Sequence, residues 1–172
     1  MNRNNYLLIM LLIASVFSSC KKSDIEYEND FDKSFKAWQT FKASSSNSYR
    51  YKVYFASWVG YSHETTITVK DGKVVERAFI AKSIERPSNQ TIVREEWTED
   101  VNSLNTHPNG DATLTLDDIY HKAKNVWLLK RKDAEVSLET KNNGMISSCG
   151  FVPHNCADDC FNGISITLIE AL

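Results

Sequence analysis

The sequence predicts an α+β domain, an antiparallel β-sheet with two main helices packed on one face and polar residues on the other. Three observations lead there. Phe31, Phe35, Trp38 and Phe41 recur at the spacing of one helix face. Alternating apolar runs flank Asp71-Gly72, and this pair favours a tight hairpin because both central residues of a type I′ turn need positive φ. Thr115 followed by Asp118 has the form of a capping box, and alternating segments come after it.

The first helix is predicted between Phe31 and Lys42, capped by Asn29 or Asp30 and ended by Ser44-Ser45-Ser46-Asn47. Its aromatic stripe reads as core. Tyr49, Tyr51, Val53 and Phe55 alternate with Arg50, Lys52 and Tyr54, the period-two pattern of a half-buried strand. Ile67 and Val69, then KVVERAFIA, form the two arms of the hairpin, and Thr91–Trp97 makes a further strand after the loop Arg86-Pro87-Ser88-Asn89. The stretch from Thr98 to Asp111 is rich in turn formers and is expected to be irregular. Ile119, Tyr120, Ala123 and Trp127 share a face of the second helix, near whose C-terminal end the cations Lys130-Arg131-Lys132 suit the helix dipole. Glu135–Thr140, a turn at Asn142-Asn143-Gly144, Met145–Phe151 and Gly163–Leu172 supply the remaining strands. A helix followed by strands occurs twice, which hints at two related halves.

The N-terminus decides the compartment. Arg3 precedes an apolar run from Tyr6 to Phe17, then small residues and Cys20, which is a secretory signal layout too short for a membrane-spanning helix. Phe17-Ser18-Ser19-Cys20 resembles the lipobox of bacterial lipoproteins, with Phe17 where an aliphatic residue is usual and Ser19 where Gly or Ala is usual. The resemblance implies cleavage before Cys20 and acylation of its sulfur and new amino group, and several acyl chains hold stably where one holds marginally. The expected organisation is therefore a signal peptide over 1–19, an acylated Cys20 with a flexible polar tether over 20–30, and a single domain over 31–172. The expected location is the bacterial envelope, anchored to the outer membrane on its periplasmic face or at the cell surface. Asp24, Glu26 and Glu28 loosely resemble the acidic surface-export signal of some Bacteroidota lipoproteins.

The formal charge is −2 with interspersed signs, which argues against a nucleic-acid partner. No phosphate loop, dinucleotide fingerprint, HExxH or GxSxG occurs in the sequence, and nothing in it calls for a cofactor. His63, His107 and His121 lie in no arrangement that specifies a triad, although a composite site assembled by folding stays open.

The remaining chemistry is concentrated in SSCGFVPHNCADDCFNGI. Outside the cytoplasm, three thiols predict one disulfide and one free cysteine. Cys156 and Cys160, spaced i, i+4, are the first pairing, because one tight turn brings their Cα atoms within disulfide range. Cys149 with either partner is the second; otherwise it is a buried thiol in a strand. Cys149, His154, Cys156 and Cys160 also have the ligand types of a zinc site, but a single residue separates His154 from Cys156 and no second knuckle exists. Asp158, Asp159 and Asn162 lack the alternation of a calcium loop, and CxxxC here lacks the strand-to-helix setting of a thiol oxidoreductase.

The segments TTITVKDGKVVER, LTLDDIYHKA and NGMISSCGFVPHNCADDCFNGISI together resemble an uncharacterised family of small bacterial lipoproteins, a domain of unknown function. The resemblance covers nearly the whole mature chain and implies a fold but no mechanism. The expected function is a non-enzymatic binding domain, held to the bilayer through Cys20, whose partner is a protein, a peptide or another envelope component. The alternatives are a metal- or thiol-dependent enzyme built on the C-terminal cysteine and histidine cluster, and a purely structural envelope protein.

Overall fold

The computed structural model describes residues 24–157 and 160–172. Their elements run α1 (Glu28–Ser44), β1 (Tyr49–Ala56), β2 (Tyr61–Lys70), β3 (Lys73–Glu85), β4 (Gln90–Asp100), α2 (Leu116–Lys122), a π-helical turn (Ala123–Trp127), β5 (Ala134–Glu139), β6 (Ser148–Pro153) and β7 (Asn162–Ala171). The strands form one seven-stranded sheet in the order β4-β3-β2-β1-β7-β6-β5, with every neighbouring pair antiparallel. The α+β class and the antiparallel sheet are as the sequence predicts. Its two helix-and-strand runs meet at the β1–β7 pair. They are seated differently: the first strand after α1 is central, whereas the first after α2 lies at an edge.

Local signals explain most elements. Thr115 and Asp118 form the capping box, each side chain accepting the other residue's backbone N–H. Asp71 and Gly72 both take positive φ at the β2–β3 turn, as a type I′ hairpin requires.

Two boundaries move through a contact distant in sequence, and β6 begins at Ser148 instead of Met145. The first helix begins at Glu28, with Tyr27 as its N-cap in the left-handed region instead of Asn29 or Asp30. The cause lies one step back: Ile25 is buried and bridges Leu129, Glu26 N–H donates to Leu128 O at 2.7 Å, and Lys130 N–H donates to Asp24 O at 3.0 Å. Asp24, Ile25 and Glu26, which belong to the segment expected to be a flexible tether over 20–30, are thus held against the domain, because Ile25 gains more from burial than a solvated linker gains from freedom. Likewise β4 runs to Asp100, past the predicted end at Trp97, because Glu99 is enclosed by the loop that follows it.

The core is aromatic. Trp38 of α1 meets Tyr49 edge-on at 5.2 Å and lies parallel to Tyr120 of α2 at 6.3 Å. Three buried tyrosines hydrogen-bond through their hydroxyls to backbone groups. Tyr49 Oη accepts Leu116 N–H at 2.8 Å, Tyr51 Oη donates to Leu114 O at 2.6 Å, and Tyr120 Oη donates to Ser34 O and accepts Ile146 N–H. Burial pushes all three phenols above their ordinary range. Among the described residues no helix is long and apolar enough to cross a membrane.

Candidate functional site

The cysteine cluster resolves into a staple and a core residue. Cys156 and Cys160 form a disulfide with their Cα atoms 6.2 Å apart, in the loop between β6 and β7. Cys149 of β6 is free and fully buried, and burial pushes its thiol up to about 12. Zinc needs thiolate sulfur, so the paired Cys156 and Cys160 do not complete a set with Cys149 and His154. His154 sits in the turn after β6, its N–H donating to Asp133 O at 2.8 Å. Among the described residues no cluster of histidine, cysteine and carboxylate side chains is placed to hold a metal ion. Cys20, Asp158 and Asp159 lie outside the described residues.

What the staple shapes is a cleft. The central pair runs in register from Tyr49↔Ala171 to Lys52↔Leu168, then shifts by one residue to Val53↔Ile166 and ends. A bulge of this kind bends the strand that carries the extra residue. Beyond it Tyr54, Phe55 and Ala56 keep their partners on β2 but have none on β7, while Asn162–Ser165 keep theirs on β6. The sheet therefore opens between β1 and β7 into a cleft of about 580 Å³, bordered by Phe55, His63, Asp111, Phe161, Gly163 and Ile164.

Each wall has a local cause. Phe161 directly follows the disulfide, and its ring lies over two glycines that face each other across β6 and β7, Gly150 and Gly163. A Cβ at Gly150 would come within 2.6 Å of that ring. On the opposite wall His63 stacks on Phe55 at 5.2 Å and touches Tyr61 and Phe79 at 6.0 and 5.6 Å. Asp111 Oδ2 lies 4.0 Å from His63 Nδ1. Both atoms are buried, and neither has a hydrogen-bond partner among the described residues. Buried polar atoms in this condition are costly, so a ligand group that supplied a donor to the carboxylate or a partner to the imidazole would gain by entering.

Asp111 is placed by a buried ion pair. Arg77 Nε and Nη2 donate to the two Glu99 oxygens at 2.8 and 2.9 Å. Glu99 also accepts the backbone N–H groups of Asn105 and His107 at 2.8 and 2.7 Å, while Arg77 donates back to His107 O and Asp111 O. The His107 ring stacks on Trp97 at 4.4 Å. The loop after β4 is thereby clamped to the sheet, and Asp111 N–H donates to Thr65 Oγ1 at 3.0 Å, beside His63. The hydrogen bonds from Arg77 hold the Glu99 carboxyl well below the usual carboxylate range, against the opposing effect of burial.

No protein-family model, curated protein or solved structure matches this chain.

Of the three histidines weighed from sequence, the fold brings His63 to the cleft, puts His107 in the clamp and leaves His121 exposed on α2. Asp111 and the Arg77–Glu99 pair were not singled out by sequence. Their signal was present in part: His63 and Arg77 stand in phase with Ile67 and Phe79 on their strands, where a period-two pattern expects apolar residues.

Proposed function

We propose that this chain is a lipid-anchored envelope protein whose domain binds an extended peptide segment of another envelope component in the cleft between β1 and β7. The carrying observation is the opening of the sheet beyond Val53↔Ile166, which leaves two strand edges facing one space. An exposed edge supplies main-chain hydrogen bonds to an added strand, and adjoining pockets read alternate side chains. Phe55 and Phe161 offer apolar walls, and His63 with Asp111 offers a polar end. Trp38 of α1 and Leu116 of α2 both pack on Tyr49 of β1, so the strand that forms one edge of the cleft is braced from behind. Acylation of Cys20 holds the domain to the outer membrane, consistent with the lipobox-like residues before it. The paired Cys156 and Cys160 favour this reading over a metal- or thiol-dependent enzyme.

Panning a random-peptide display library against the mature domain tests the binding function. Enriched peptides should lose at least tenfold in affinity, about 1.4 kcal/mol, on Phe55→Ala or Phe161→Ala. Peptides that bind these folded variants as well as the parent place the ligand elsewhere. For the anchor, Cys20→Ser should move the protein from the membrane fraction to the soluble one, and retention in the membrane would refute acylation.

A further inference from the structure

Which end of the sheet faces the bilayer follows from strand direction and from where the N-terminus docks. Antiparallel order puts the β1–β2 turn, the β3–β4 turn, the β6–β7 disulfide loop and the segment entering β5 at one end. At the other lie the β2–β3 turn, the β5–β6 connection and the C-terminus of α1. The first end is where the chain leaves for its anchor, because Asp24 and Ile25 pair with Lys130 and Leu129 just before β5.

Only Lys21, Lys22 and Ser23 separate Cys20 from Asp24. At about 3.5 Å per residue even a fully extended chain spans about 14 Å between those Cα atoms. A domain so closely held has little freedom to turn its anchored end away from the bilayer.

That same end carries Trp58, the most exposed aromatic among the described residues. Trp58 and Val59, at the tip of the β1–β2 turn, are 76 % and 55 % exposed. Gly60 lets the turn close with φ +88, against Ile84 at the end of β3. A tryptophan beside a membrane anchor is where the amphipathic indole is best accommodated, at the level of the headgroups. Lys130 and Lys132 lie at this end as well, beside the acidic Asp24 and Asp133.

We infer that the Trp58–Val59 tip is a membrane-contact element that seats in the lipid headgroup layer and fixes the orientation of the anchored domain. This rests on Cys20 being the attachment point. Its occupant is the bilayer, because the short link brings that surface to the tip whether or not any other partner is present. The cleft lies at the same end, so its ligand is met close to the membrane.

The test separates this geometry from acylation in the cell. The mature chain from Cys20 onward, made without acylation, is coupled through the Cys20 thiol to maleimide-bearing phosphatidylethanolamine in vesicles of phosphatidylcholine and phosphatidylglycerol. Cys149 is buried and the other two cysteines are paired, so coupling is selective. Trp58 is one of four tryptophans, so brominated phosphatidylcholine should remove about a quarter of the indole emission. The quenching should vanish in W58F, and it should stay absent in W58F/K73W, which moves the indole to the β2–β3 turn at the opposite end. Equal quenching of the parent and W58F, or quenching that returns in W58F/K73W, overturns the inference. Release of Cys20→Ser from cell membranes is scored separately and bears on the anchor alone.

Discussion

Removing the Glu99 carboxylate should unseat the loop that carries Asp111 and cost a large part of the stability of the domain. The Glu99 side chain is fully buried and Arg77 is 5 % exposed. Glu99→Ala therefore leaves a guanidinium in the interior without its counter-charge and frees the backbone N–H groups of Asn105 and His107. Removing one partner of a buried pair costs about 3–5 kcal/mol. In a domain of this size each kcal/mol lowers the melting midpoint by about 2–4 °C, so the drop should be about 6–20 °C. Thermal and urea unfolding of the mature chain measure it. Glu99→Gln keeps the shape and one acceptor oxygen and should fall between parent and alanine variant. The double variant R77M/E99L, which removes both charges, should recover part of the loss. A midpoint for Glu99→Ala within about 2 °C of the parent would show that the pair contributes little and that the loop is held by other contacts.

The same carboxylate gives the pH dependence a sign. Its folded titration lies below the ordinary 4.5, chiefly through Arg77, so its contribution is complete above that value and is lost as pH falls toward the folded one; the melting midpoint should decline below about 4.5, and less steeply in Glu99→Gln. The Cys149 thiol, pushed up to about 12 by burial, should resist a disulfide reagent at pH 8 in folded Cys20→Ser protein, and one thiol should react on unfolding without reductant; fast labelling of the native state would contradict its burial. Gly163→Ala puts a Cβ onto the Cys149 carbonyl and within 2.6 Å of Gly150 Cα, which should destabilise by about 1–3 kcal/mol in urea unfolding; a neutral result would mean that β6 and β7 can separate freely. Cys156→Ser with Cys160→Ser opens only a short loop and should lower stability by about 1–2 kcal/mol, while weakening binding in the cleft by displacing Phe161; unchanged peptide affinity would remove the staple's role in shaping that wall.

The signals that proved legible were short-range. The aromatic stripe of α1, the Asp71-Gly72 turn, the Thr115–Asp118 box and the i, i+4 cysteines each act over a few residues, and each is encoded by spacing alone. Where sequence reasoning stopped short, the deciding partner lay far along the chain. Ile25 looks like part of a polar tether until Leu129 is beside it, and the segment after β4 looks like a plain loop until Glu99 gathers its amides.

By itself, then, the sequence determined the class of the fold and most of its elements, put Cys156 with Cys160 first among the cysteine pairings, and raised the expectation of an anchor at Cys20. Only the tertiary structure decided that β1 and β7 meet and then part, that Phe161 forms one wall of the opening and His63 with Asp111 the other, and that Ile25 docks beside Leu129 at that same end. The physical reason is that periodicity records which face of an element is buried, whereas a cleft depends on which edges fail to pair, and no local pattern specifies that.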